Sequence, residues 1–210
     1  MKTEKYIEQQ KHLPTEGKYI IAQSDAEAIT VYQAFNHQIA NYAVANQKFG
    51  GSSYSFNRMT WIKPNFMWMM YRAGWATKPN QERILGLKIK HEGFQKILLE
   101  AVHSSFQAHL YPTREDWQHA LANSQVRLQW DPDHNPIGEK LTRKAIQLGL
   151  RGEFLKQFNG EWLTEIIDMT DFVKTQHTNA KGDFSNLIVP YERVVDYRNT
   201  AVTKNINLSF

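Results

Sequence analysis

Tryptophan recurs at seven-residue intervals, as Trp61, Trp68 and Trp75, within the run RMTWIKPNFMWMMYRAGWATK at residues 58–78. No other stretch limits the fold of this chain as tightly. Pro64 bars a helix interior but suits a first turn, and Gly74 suits a helix end. The spacing therefore predicts a helix from Pro64 to that glycine. On it Trp68, Tyr71 and Arg72 fall on one face, with Trp75 placed to close that face from the loop. Phe66, Met67, Met69 and Met70 point in other directions, and a helix apolar nearly all round is a buried one. The plainest reading is a central core helix whose Arg72 reaches out to water.

The polar residues of the same run ask for more. Its four charges, Arg58, Lys63, Arg72 and Lys78, are all basic. Cations beside indole rings suit a ligand that carries both a ring and a phosphate: the ring stacks and the cation pairs with the anion. Thr60 and Trp61 stand just before the helix, whose start adds backbone donors for an anion, less the one that Pro64 removes.

Around this run the pattern is mixed. Residues 28–35 (AITVYQAF) and 82–89 (ERILGLKI) read as strands. Asn36 caps a helix with Ile39, Ala40, Ala43 and Val44 on its apolar face. Residues 94–102 form another helix, and Thr113 with Asp116 resembles a capping box. VRLQW (126–130) alternates as a strand and DPDHNP closes it as a turn; residues 145–150 are strand-like. GEFLKQF is a short helix, EWLTEIIDMT a strand and DFVKTQHT a helix. Strands and helices do not alternate strictly, which favours an α+β fold: one compact domain with a mixed or antiparallel sheet and packed helices. Residues 1–17 are expected as a polar arm, 18–195 as the domain and 196–210 as a tail.

A chain of 210 residues can bury a core without staples. It has no cysteine, which rules out disulfides and thiolate chemistry and fits a reducing, cytoplasmic location. No secretory signal or membrane span is expected. The net charge of +4 is too mild to mark a polynucleotide binder by itself. There is no Walker phosphate loop, dinucleotide-fold glycine fingerprint, nucleophile elbow or HxxxH pair. No metal site is assigned.

Two further clusters stand on strands. Arg127, Gln129 and Asp131 share one alternate set, with Trp130 on the other. Gln147 and Gly149 share a face with Arg151, close to Arg143 and Glu153. Such side chains form a hydrogen-bond network or line a cavity, because buried polar groups need partners. Glu161 opens EWLTEIIDMT, where a carboxylate at a strand edge is placed to act as a base or to stabilise a cation, the plainer alternative being a solvated surface glutamate.

The phrases TVYQAFN, RMTWIKPNFMWMMYRAGWATKPNQER, VRLQWDPDH, IQLGLRGE and EWLTEIIDMT together resemble an uncharacterised bacterial and fungal family, domain of unknown function forty-two ninety-one, over residues 18–195. VPYER resembles the family's closing phrase. The resemblance implies one compact domain and no particular reaction. In layout the chain is also faintly similar to ADP-ribosyltransferases, which cleave the nicotinamide–ribose bond of NAD through an oxocarbenium-like transition state. That similarity implies NAD as ligand and Glu161 or Glu153 as the catalytic glutamate. Those enzymes commonly carry His or Arg on the first strand, where this chain has Gln33.

The leading expectation is an enzyme acting on a nucleotide or nucleic-acid substrate, with ADP-ribosyl transfer as its sharpest form. Tyr32, Trp61 and Tyr71 would stack on the ring, and Arg58, Lys63 and Arg72 would meet phosphate. The alternatives are a non-catalytic RNA or DNA binder and a structural module. Convergence of Arg58, Lys63, Arg72, Arg127 and Arg151 on one cavity would favour the enzyme; dispersal over the surface would count against it.

Overall fold

The computed structural model describes residues 1–197 and 200–209. The chain opens with strand β1, Thr3–Lys5, and a short helix, α1, Tyr6–Gln10. Strand β2, Ile21–Ala22, leads to β3, Ala28–Phe35, whose first six residues are all buried. The Asn36 side chain then accepts the Ile39 amide and starts α2, His37–Asn46. Strand β4, Thr60–Ile62, precedes α3, Phe66–Ala73. Strand β5, Arg83–Lys90, runs directly into α4, His91–Leu99, and strand β6 follows at Ala101–His103. Thr113 caps α5, Arg114–Asn123, by taking the Asp116 amide at 3.1 Å. Strands β7, Val126–His134, and β8, Lys140–Leu150, form a long hairpin. Helix α6, Gly152–Gln157, passes through a π-helical turn, Phe158–Trp162, into β9, Leu163–Asp168. Helix α7, Thr170–Asn179, strands β10, Ile188–Pro190, and β11, Arg193–Val194, and helix α8, Thr200–Ile206, complete the order.

Two sheets dominate. One is antiparallel, in the order β3-β5-β9; the other is mixed, in the order β4-β8-β7-β6, with β6 parallel to β7. A backbone bridge joins them, in which the Tyr32 amide donates to the Lys63 carbonyl at 2.7 Å and the Lys63 amide returns a bond of 3.2 Å. The result is a compact α+β fold.

Strand alternation explains the layers. Val126, Leu128, Ile146, Leu148 and Leu150 project from the mixed sheet into the main core, against Ile29, Val31, Leu85 and Leu87. A second core surrounds α3, joining Phe66, Met67, Met69 and Met70 to Tyr32, Ile84 and Met169. The opposite face of the mixed sheet is polar, and α3 lies beside it.

Several segments depart from expectation. DPDH does not turn but continues β7 to His134, with Pro132 opposite Lys144 just before a bulge; the turn comes at residues 135–138. The expected helix over 94–102 stops at Leu99, because Ala101–His103 pair with β7. The polar N-terminal arm is ordered. β1 pairs with β10, Glu4 forms an ion pair with Arg193, and Gln9 donates to the Pro190 carbonyl at 2.6 Å. At the other end α8 packs on α4 and β6, its Asn205 amide donating to the carbonyls of Leu98 and Ala101 at 2.9 and 3.0 Å. No helix among the described residues is long and apolar enough to cross a membrane.

Candidate functional site

A cavity of about 360 Å³ lies between α3 and the polar face of the mixed sheet. Its floor comes from the hairpin. Gln129 stands opposite Gln147, and Asp131 is next on the same face. The two amides donate to separate oxygens of the Asp131 carboxylate, each at 2.8 Å, and so hold it oriented. Trp61 supplies one wall and Trp68 another, with Lys63 and Arg72 beside them.

Local sequence explains how each part arrives. Trp61 sits opposite Gly149 in the β4–β8 pairing. A Cβ at Gly149 would lie 3.0 Å from the Trp61 ring and 2.6 Å from Met59 Sδ, so only glycine lets the indole lie on the strand. Gln33, buried on β3, fixes the approach by donating to Thr60 Oγ1 at 2.6 Å and to the Trp61 carbonyl at 3.0 Å. Trp68 is buried in a stack with His134 and Tyr71, at ring-centroid distances of 5.2 and 5.4 Å. Helix α3 begins one turn after β4. Its start is capped twice: the Asn65 side chain takes the Trp68 amide at 2.7 Å, and Glu192 Oε1 takes the Phe66 amide at 2.8 Å. Those donors are therefore spent inside the protein, and an anion at the helix start has no access to them. Gly74, at φ +56°, ends the helix.

Lys63 is the unusual member. It is 6% exposed, and no carboxylate among the described residues stands within ion-pair distance of its amine. Burial, with the neighbouring charge of Arg72 adding to it, lowers its pKa to about 8, against a smaller opposing pull from Asp131. Arg72 is exposed at the rim. Arg127 stands on the same sheet face, opposite Gly149, with its Nε buried and without a hydrogen-bond partner.

Beneath α3 the same face continues into a closed polar network. Arg143 Nε donates to Asp133 Oδ2 at 2.7 Å, both side chains being buried, and Arg143 Nη1 reaches the Pro14 carbonyl at 3.3 Å. Glu192 lies nearby, and burial pushes its carboxyl well above the usual carboxylate range. Tyr32 is fully buried, and burial followed by the charge of Glu192 raises its phenol.

Of the residues the sequence singled out, the structure brings Trp61, Lys63, Arg72 and Gln147 to the cavity, with Thr60, Gln33 and Arg127 as neighbours. The others do not reach it. Tyr32 packs edge-on against Phe66 at 5.5 Å and meets no solvent, so it cannot stack on a ligand. Tyr71 faces a separate cavity with Trp75 and His177. Lys78 donates to the carbonyls of Arg72 and Tyr71, closing the end of α3. Arg151 donates to the carbonyls of Ala122 and Ser124 at the end of α5, at 2.6 and 2.7 Å. Arg58 is exposed outside the cavity lining. Glu153 pairs with Lys156 at the surface, and Glu161 is exposed in the π-helical turn. Five cations were expected to converge; two line the cavity and a third flanks it. Asp131 is the carboxylate actually present, and its signal was the alternation with Arg127 and Gln129.

A compact α+β fold is thus the class that the structure defines. The chain belongs to the family described as Domain of unknown function (DUF4291), whose model matches residues 19–195. No curated protein matches it.

Proposed function

We propose that the cavity binds the ring and phosphate of a nucleotide and that the chain is an enzyme acting on a nucleotide or nucleic-acid substrate in the cytoplasm. The observation that carries this reading is Lys63, a buried cation without a partner at the edge of a cavity. An unpaired buried charge is costly, and an incoming anion supplies what the fold withholds. Arg72 and Arg127 extend the positive field, and the half-buried indole of Trp61 offers a face for the ring. In the ADP-ribosyl-transfer form of this reading NAD is the ligand. Asp131, rather than Glu153 or Glu161, would then face the ribosyl cation, because it is the carboxylate lining the cavity.

Calorimetric titration of the full chain with NAD, ADP-ribose and a short single-stranded RNA tests this. Saturable binding of a nucleotide, lost in Lys63→Met and weakened in Arg72→Ala, is the expected result. Steeply salt-dependent binding of RNA alone, indifferent to Asp131→Asn, would instead favour a non-catalytic polynucleotide binder. Absence of binding to all three would leave a structural module.

A further inference from the structure

Lys63 has a property that an anion anchor does not require. Arginine stays charged when buried and grips phosphate with two donors, whereas a buried lysine readily loses its proton. Here Lys63 lines the cavity together with Trp61, Trp68, Arg72 and Asp131. It makes no ion pair that would hold the proton on. A desolvated amine next to a second cation is the setting in which lysine becomes a nucleophile toward carbonyl carbon.

We propose that Lys63 forms an imine with the aldehyde carbon of a sugar phosphate held in this cavity. The proposal rests on the nucleotide reading above and deepens it: a ribose released from its base has a free C1, which is an aldehyde when the ring opens. The neutral Nζ adds its lone pair to that carbon, and one of its two protons passes to the carbonyl oxygen to give a carbinolamine. The C1–O bond then breaks, the oxygen leaves as water, and nitrogen and carbon share a double bond. Amine and aldehyde become imine and water, with no oxidant or reductant involved. Asp131 accepts the second proton lost by nitrogen and returns it to the departing hydroxyl. Gln129 and Gln147 keep that carboxylate aimed, while Arg72 pairs with the phosphate. With its pKa at about 8, part of the amine is neutral at physiological pH.

The test uses ribose 5-phosphate and the full chain, with borohydride to reduce any imine to a stable secondary amine. The expected result is a mass gain of one reduced ribose phosphate, mapped to the peptide holding Lys63. It should be absent with ribitol 5-phosphate, which has no carbonyl. Lys63→Arg should abolish the adduct while still binding ribitol 5-phosphate. The trapping rate should climb as pH rises through about 8. No adduct, or an adduct spread over surface lysines and unchanged in Lys63→Arg, overturns the proposal. Peptide mapping of the unaltered chain decides the matter even if that variant fails to fold. If nucleotides bind and nothing is trapped, the imine falls and the nucleotide reading stands; if neither occurs, both fall.

Discussion

Arg143 and Lys63 are both buried cations above the polar face of the β7–β8 hairpin, and the fold treats them in opposite ways. Arg143 has Asp133 at 2.7 Å and a backbone carbonyl besides. Lys63 has a cavity. The first arrangement is closed: its charge is answered inside the chain, and it holds the N-terminal segment to the hairpin through Pro14. The second is open: no carboxylate among the described residues stands within ion-pair distance of the amine, and Asp131 gives only a small pull. A buried charge with a partner explains itself as architecture; one without a partner points outward, to a ligand.

That contrast can be broken or sharpened by substitution. The largest effect belongs to the closed pair. Asp133→Ala leaves Arg143 buried and unpaired and should lower stability by about 3–5 kcal/mol in urea unfolding, whereas Asp133→Leu combined with Arg143→Met should recover most of the loss. Equal damage from the single and double changes would mean that the pair does more than answer its own charge.

Next comes Lys63→Met, which should act in the opposite direction. A shift from 10.5 to about 8 means that the folded state holds the ammonium at a penalty, on the order of 3 kcal/mol at neutral pH. The variant should therefore melt at a higher temperature while losing nucleotide binding. The sign with pH follows. The penalty is full below about pH 8 and fades as pH rises toward 10.5, so the original chain should gain on the variant across that window. Melting curves at several pH values on both proteins measure it, and a destabilised variant would refute the open-charge picture.

Arg72→Ala should leave stability within about 0.5 kcal/mol, because the side chain is exposed. Its ligand affinity should still drop, by about 1.5–3 kcal/mol if the guanidinium meets a phosphate directly. The smallest effect is expected of Glu153→Gln and Glu161→Gln. Each should change stability by less than about 0.5 kcal/mol and leave calorimetric nucleotide binding unaltered.

Legibility followed the range of the interactions. The helix after Pro64, the caps at Asn36 and Thr113, and strand β3 were readable because each is specified within a few residues. The Gln129–Asp131 face was visible in the alternation of VRLQWDP. The continuation of β7 through Pro132 was not, since Asp, Pro and Asn together read as a turn and only pairing with β8 overrides them. Nor were the burial of Glu192 and the ordering of the first residues, which depend on partners more than a hundred positions away. Tyr32 looked like a stacking ring because its strand is local information, while its enclosure by α3 is not.

The family match begins at residue 19 and stops at residue 195, yet the chain is fastened outside both limits. Trimming the polypeptide to those coordinates would strip β10 of its neighbour β1 and uncover the greasy flank of α4 and β6 that Val202 and Ile206 now shelter. A shortened version made for biochemistry should consequently clump or be digested quickly. An assay that found it inert would be reporting on a damaged shell and not on the amine within.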